Sequence, residues 1–197
     1  MKLFFDTEFT GLHKNTTLIS IGIVSENGQQ FYAEFTDYDK NAENDSWLKE
    51  NVIDNLLTRF PSDIEKAPYI ENLHVGNKES IAKALEIWFK QFDNIELVSD
   101  CCHYDMVLFC DLFGNAFYIP KNVCPTCYDI NQDIAQFYGI SQQKAFDKNR
   151  ESILKEFNDS LLDLNSEMKH NSLWDAYVIK EIYEIIQSHL FEGENNG

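Results

Sequence analysis

Three apolar stretches crowd into the first 35 residues, separated by turns rather than by long polar segments. Leu3 to Phe5 opens the series. Thr17 to Val24 (TLISIGIV) is β-branched along much of its length, and Gln30 to Phe35 (QFYAEF) carries an aromatic alternation. Between the second and third stands Asn27-Gly28, the strongest short-range hairpin signal available to a chain. This opening predicts an antiparallel three-strand meander, and the rest of the chain has to pack around it.

Residues Asp37 to Asp45 (DYDKNAEND) are polar and read as a loop. From Ser46, SWLKENVIDNLLTRF places Leu48, Val52, Ile53, Leu56 and Leu57 at a helical period, and Pro61 and Pro68 punctuate the residues beyond it. Ile81, Leu85, Trp88, Phe89 and Phe92 fall on one stripe of an amphipathic helix. Ile95 to Val98 reads as a short strand, and Tyr104 to Phe113 as a helix stopped by Gly114. A strand is expected over Asn122 to Tyr128, then a helix ending at Gly139. Residues 141 to 169 look helical but carry no clear stripe. The last helix is expected from Leu173 to Leu190, with Ile179, Ile182, Ile186 and Leu190 in line. Strands alternating with helices after a meander predict an α/β fold, a mixed sheet with parallel strands added to the meander and helices on its faces. The expected organisation is one domain over residues 1–191, with 36–80 as a helical and loop insertion and 192–197 as a polar tail.

Composition narrows the function. Sixteen Lys and Arg stand against 33 Asp and Glu, a formal charge of -17. A sequence-indifferent coat for long nucleic acid needs many cations to release counterions, so that class is excluded, whereas a small metal-assisted phosphate site is not. At 44% hydrophobic residues, the 197-residue chain has material for a core, and a chain of this size buries roughly 70% of its unfolded surface. No segment reaches the roughly 18 apolar residues that a membrane span requires. Asp6 interrupts the apolar start before it could serve as a secretory signal. Five Cys, two of them adjacent (Cys101-Cys102), do not make a disulfide framework. A cytoplasmic, reduced setting without membrane contact is expected.

The chemistry begins at Asp6-Thr7-Glu8. On a strand, residues two apart share a face, so both carboxylates project together at the carboxyl end of an apolar run. Two such acids repel unless a cation neutralises them. Alone, the pattern also fits solvated strand-end charges. His170-Asn171-Ser172-Leu173-Trp174-Asp175 sets a His five residues before an Asp where the last helix begins. Five helical residues turn about 140°, so the economical arrangement has His170 in the loop and Asp175 in the first turn. The same segment also fits a capping box, with Ser172 as the cap and Asp175 as its partner. In Ser99-Asp100-Cys101-Cys102-His103-Tyr104-Asp105, Asp105 sits in a first helical turn, which also suits an acid placed against the macrodipole. Asp100 competes with it at the strand end.

Taken together, Asp-x-Glu on the first strand, Tyr-Asp opening a central helix and His-x4-Asp opening the last resemble the DEDDh branch of the DnaQ-like 3'-5' exonuclease superfamily. The resemblance runs from Leu3 to about Tyr183. Trp47 to Val52 (WLKENV) and Tyr104 to Gly114 (YDMVLFCDLFG) are similar to segments of the RNase T-like exoribonucleases first described in mycobacteria. Many relatives carry His-Asn-x-x-Phe-Asp at the middle motif; this chain has Asp-Cys-Cys-His-Tyr-Asp, so His103 is displaced from that pattern.

The resemblance implies a ribonuclease H-like fold and a catalytic set of Asp6, Glu8, Asp105, His170 and Asp175. It implies two divalent cations, Mg²⁺ or Mn²⁺, held by Asp6, Glu8, Asp105 and Asp175, oxygen donors that suit hard ions. Asp6 would bridge the ions, Glu8 and Asp175 would hold the one carrying the attacking water, and Asp105 would support the other. His170 would accept the water's proton. The product would be a 5'-nucleoside monophosphate released from the 3' end of single-stranded or overhanging RNA, or of a short oligonucleotide. A homodimer is also implied. A DNA-directed exonuclease of the same branch and a non-catalytic binding module on the same fold are the alternatives. Completeness of the five residues argues against the second.

Phe9 and Leu12 fall where relatives wedge or stack against the terminal base, although Phe9 equally fits a core position. Lys144, Lys148, Arg150 and Lys155 against Asp147 and Glu151 make the one conspicuous net-basic window, a candidate lip for phosphates or a solvated helix face. Cys124-Pro125-Thr126-Cys127 could be a redox pair or half a zinc site. No second ligand pair of suitable spacing accompanies it, and the default is a buried-strand role.

Overall fold

The computed structural model describes residues 1–58, 70–157 and 169–194, the last five by backbone alone. The meander forms as expected from β1 (Lys2–Phe9), β2 (Leu18–Ser25) and β3 (Gln30–Phe35). Its hairpin is one residue longer than the dipeptide suggests. Gly28 N donates to Ser25 O at 2.9 Å, Ser25 N donates to Gln29 O at 2.8 Å, and Gly28 has φ +80. That is a three-residue loop closed by a glycine in the left-handed region, rather than a two-residue turn.

Three parallel pairings extend the meander. β5 (Ile95–Ser99) adds beside β1, and β6 (Val123–Asp129) beside β5. On the opposite edge, β4 (Leu73–Gly76) runs parallel to β3, which sequence reading did not foresee. Four partly exposed residues ending in glycine carry no alternation to read. The sheet order is β4-β3-β2-β1-β5-β6.

Seven helices are described: α1 (Ser46–Asn51), α2 (Lys78–Phe89), α3 (Cys102–Leu112), α4 (Ile130–Tyr138), α5 (Gln142–Phe146), α6 (Arg150–Glu156) and α7 (Ser172–Glu194). The polar stretch before α1 holds a 3₁₀ turn, Lys40–Asn44. α1 is much shorter than its apolar period suggests and gives way to a second 3₁₀ turn, Ile53–Asn55. The cause is local. Asn55 Nδ2 donates to Asn51 O at 2.7 Å, taking the carbonyl that Asn55 N would use in a continuing helix, and Asn55 N turns instead to Val52 O at 3.1 Å. Pro61 and Pro68, and the rest of the segment before residue 70, lie outside the described residues, as do residues 158–168. α4 stops at Gly139 (φ +62), as its sequence suggests, and α7 continues past Leu190 to Glu194.

The sheet is packed on both faces. α2 and α3 bring Ile81, Leu85, Phe89, Leu108 and Phe109 onto Leu3, Phe5, Ile21 and Ile23. On the other face Trp174, Val178, Ile179 and Ile182 of α7 meet Phe4, Val98 and Ile134, while Leu173 and Ala176 meet Val24 and Tyr32. Burial of each such side chain contributes about 1.5–3 kcal/mol, enough for this helix to tolerate a strained residue just before its start.

Candidate active site

Alternation along β1 decides which acids meet. Leu3 and Phe5 belong to the α2–α3 side of the core, and Phe4 to the α7 side. Asp6 and Glu8 keep step with Phe4 and face α7. A register shift between Glu8 and Phe9 then re-aims the strand end, as bulges beside clefts do.

Directly across from Asp6 on β2 lies Gly22. A Cβ there would fall 2.2 Å from Leu173 N and 2.3 Å from Leu173 Cα. The missing side chain lets the first turn of α7 lie against the sheet backbone. Ser20 Oγ and Ser172 Oγ, both buried, lie 2.9 Å apart and secure the same contact. This seating lowers Asp175 onto the carboxylates of β1.

The capping arrangement differs from the expected box. Asn171, not Ser172, caps α7, with its Oδ1 accepting from Leu173 N (3.2 Å) and Trp174 N (3.4 Å). Asp175 N donates to Asn171 O at 2.9 Å, and the Asp175 carboxylate accepts from the His170 backbone N–H. His170 precedes the cap in a left-handed conformation, φ +64, which is uncommon for a residue with a Cβ.

The residues converge in a cleft of about 400 Å³ lined by Asp6, Glu8, Asp100, Asp105, His170 and Asp175 among others. Glu8, His170 and Asp175 offer ligand atoms within 4.8 Å of one another, and Asp6, Asp100 and Asp105 form a second such group. Asp105 is 1% exposed and accepts from Thr7 Oγ1 at 2.6 Å and from Ser99 Oγ. Asp100 accepts from Arg150 Nε at 2.9 Å. The two competing aspartates therefore differ: Asp100 is paired with a guanidinium, whereas Asp105 meets neutral donors, two hydroxyls and the Thr7 backbone N–H, which leave its charge uncompensated.

Burial, followed by repulsion from neighbouring carboxylates (Asp105, Asp175 and Glu8 for Asp6, Asp175 and Asp105 for Glu8, Asp100 and Glu151 for Asp175), raises the carboxyls of Asp6, Glu8 and Asp175 well above the ordinary range. Asp105 is pushed to about 7, burial outweighing its two hydroxyl donors. His170 is lowered by burial and then by Lys169, against an opposing Glu151, which favours the neutral imidazole. The lining holds six carboxylates against three cations, Lys148, Arg150 and Lys169. Those three already pair with Glu156, Asp100 and Glu151. Unpaired oxygen donors crowded at this density suit hard divalent cations, so the donor set fits the metals that the resemblance implies.

The remaining expected residues fall in different places. Phe9 lines the cleft with its ring stacked on Tyr104 at 5.2 Å, whereas Leu12 is 75% exposed and outside the lining. Of the basic window, Lys148 and Arg150 reach the cleft; Lys144 and Lys155 are exposed outside its lining. His103 is exposed, with its ring against Tyr104 and Phe146. Gly22, Asn171, Thr7, Ser99 and the Arg150–Asp100 pair escaped sequence reading. Gly22 alone carried a signal, a lone glycine inside a β-branched run.

Cys124 and Cys127 do not face each other as a redox pair would. Cys127 Sγ lies 2.9 Å from Cys102 Sγ, and Cys124 contacts Thr126 Oγ1 at 3.1 Å. Among the described residues, the groups able to hold a metal contain no cysteine. Hydrogen bonding by Thr126 lowers the Cys124 thiol, while burial raises Cys110 and brings Cys101 to about 12. Cys127 is raised by its hydrogen bond with Cys102 and then by burial. Limiting N-ethylmaleimide should therefore label Cys124 first, read by peptide mass spectrometry. Equal labelling of Cys101 or Cys127 would contradict this order.

The architecture is shared with ribonuclease H-like DEDDh nuclease domains. The nuclease domain of 3'hExo, described as a DEDDh family member bound to rAMP, aligns with a TM-score of 0.59 over 95% of this chain and 92% of that one, at 14% identity. A full-length 3'-exonuclease aligns at 0.56 over 95% of this chain and 82% of its own, at 12% identity. At the level of sequence, the model of the 3'-5' exoribonuclease Rv2179c-like domain matches residues 1–187, and the chain belongs to that family. The 3'-5' exoribonuclease Rv2179c of Mycobacterium tuberculosis (strain H37Rv) is 31% identical over 125 residues, 62% of this chain and 67% of that protein. Its counterpart MT2234.1 in strain CDC 1551 matches equally.

Proposed function

We propose that the cleft hydrolyses the 3'-terminal phosphodiester of single-stranded or overhanging RNA, releasing 5'-nucleoside monophosphates, with two divalent cations held by Asp6, Glu8, Asp105 and Asp175. The observation that carries this reading is the convergence of those four repelling carboxylates with a neutral imidazole in one cleft. When bound, the cations would supply charge neutralisation at the phosphate and a nucleophile at neutral pH. Mg²⁺ and Mn²⁺ both suit the oxygen donors.

The chain's own groups divide the remaining work. Glu8, Asp175 and His170 cluster, so the attacking water belongs at that end, with His170 Nδ1 or Nε2 accepting its proton. Asp6 and Asp105 form the other end, where the leaving oxygen belongs. The excess of carboxylates bars a polyanion from approaching without cations, which confines engagement to a few nucleotides. In this reading Phe9 at the cleft edge, and Leu12 beyond it, would meet the terminal base; aromatic stacking there is worth about 1–3 kcal/mol and is tolerant of sequence. Residues 1–191 act as one nuclease unit in this reading.

The test is a time course on 5'-labelled single-stranded RNA with Mn²⁺ or Mg²⁺, beside EDTA and Asp6→Ala controls and a matched DNA. The expected result is a ladder of 3'-shortened products that both controls abolish. Cleavage that survives EDTA would refute the metal assignment. Absence of cleavage of RNA under any metal would refute the activity, and a DNA preference would move the substrate.

A further inference from the structure

The segment Ser46–Asn55 has no part in the lining of the cleft, yet it touches the loop that carries His170. Its own anchoring is firm. Leu48, Val52 and Ile53 pack with Ile19 and Tyr38 in a small core, and Asp45 caps α1 through Leu48 N at 3.0 Å. From this platform Trp47 projects, 55% exposed, with its ring edge-to-face on His170 at 5.1 Å and 71°. At the end of the same segment, Asn55 Nδ2 donates to Lys169 O at 3.4 Å, and Asn55 O accepts from Asn171 Nδ2 at 3.2 Å. The backbone is therefore held on both sides of a left-handed His170.

Asn171 Nδ2 also reaches Tyr32 OH at 3.3 Å, and Tyr32 OH donates to buried Glu34 at 3.0 Å, which ties the brace into the sheet. An imidazole in a left-handed turn has no helix or strand of its own to hold its aim. The Trp47 ring and the two Asn55 bonds supply that constraint.

We propose that Trp47 and Asn55 are positioning residues for His170: Trp47 fixes its ring and Asn55 fixes its backbone turn. The proposal rests on His170 as the base of the reaction above. A base displaced by about 1 Å can cost on the order of 100-fold in rate. Trp47→Ala should then lower kcat about 10- to 100-fold and leave KM unchanged, with Trp47→Phe restoring most of the loss because it keeps an aromatic edge. Asn55→Ala, which removes the side-chain bond to Lys169 O and keeps the main-chain carbonyl that holds Asn171, should lower kcat by less, with KM again unchanged.

The experiment measures kcat and KM on single-stranded RNA with Mn²⁺ for these variants, each alone and combined with His170→Asn. Asparagine accepts the left-handed turn and cannot take the proton. In the His170→Asn background neither Trp47→Ala nor Asn55→Ala should cost anything further. An equal loss in both backgrounds would overturn the proposal in favour of a purely structural role. A raised KM for Trp47→Ala would overturn it in favour of a substrate contact. Full activity of His170→Asn alone would remove the base assignment, an outcome visible before Trp47 is touched. Independently of activity, NMR cross-peaks between the Trp47 indole and His170 ring protons should be present, and their absence would refute the contact itself.

Discussion

Asp6→Asn is expected to abolish hydrolysis while making the metal-free protein more stable. The two effects share one cause. Burial and then the charges of Asp105, Asp175, Glu8 and Asp100 make the ionised Asp6 carboxylate costly in the folded state. An amide of the same shape removes that cost. Each pH unit by which a folded group is displaced is worth about 1.4 kcal/mol. For a chain of this size one such unit corresponds to a Tm higher by about 3–6 °C. The same substitution removes an oxygen donor from the cation site, where several kcal/mol of transition-state stabilisation, about 10³-fold in rate or more, is at stake. Calorimetry in EDTA and the RNA assay in Mn²⁺ read the two halves separately. A variant that is inactive but less stable would mean that the carboxylates are better satisfied than their crowding implies.

The pH dependence of the metal-free protein has a definite sign. Asp105 has a folded value near 7 against an ordinary 3.8. A group raised in this way contributes stability that is fully present below its unfolded value and is lost as pH rises through its folded value. Asp6, Glu8 and Asp175 are raised in the same direction. The Tm in EDTA should therefore climb as pH falls from about 8 toward about 5. Glu151 and Glu156, lowered within their hydrogen-bonded pairs, oppose the trend at lower pH still. Saturating Mg²⁺ or Mn²⁺ should flatten the slope, because cations and protons compete for the same oxygens. A metal-free Tm that instead rises with pH over that range would contradict the raised values.

The features legible in the sequence are those specified by local pattern, and the illegible ones depend on tertiary partners. A β-branched apolar run, an aromatic alternation and a left-handed glycine specify the meander locally, so Thr17 to Val24, Gln30 to Phe35 and Asn27-Gly28 suffice to predict it. The acids on β1 are readable for the same reason: residues in step with Phe4 share its face. Asp105 and Asp175 are readable because each opens a helix. The edge strand Leu73–Gly76 is not, since its pairing with β3 comes from a partner rather than from its own pattern. Nor is the early end of α1, where the Asn55 side-chain amide takes the Asn51 carbonyl in a segment whose apolar period continues. Asn171 caps α7 while the Ser172 hydroxyl is engaged by Ser20 of β2, a contact between residues 152 apart. The pairing of Asp100 with Arg150 is likewise a matter of tertiary position, and it separates two aspartates that look alike in sequence.

Gly22→Ala should lower activity on the order of 100-fold, short of the loss of a carboxylate, although residue 22 carries no functional group. The added methyl would stand 2.2 Å from the Leu173 amide nitrogen and 2.3 Å from its Cα, both backbone atoms with no rotamer to escape into. Either α7 lifts from β2 or the strand bows away from it. Both movements separate Asp175, on the first turn of α7, from Asp6, which pairs with residue 22 across the sheet. Overpacking of this kind costs about 1–3 kcal/mol in stability, so the variant should fold with a Tm lower by several degrees. The catalytic loss should be larger than that destabilisation explains, on the order of 100-fold, because a misplacement near 1 Å in a reacting geometry has that effect. Divalent-cation binding, measured by calorimetric titration, should weaken together with activity. Gly22→Ala with normal turnover would mean that α7 can shift without moving Asp175. A variant that loses activity while keeping full cation affinity would place the damage at His170, two residues before the helix, rather than at the carboxylates.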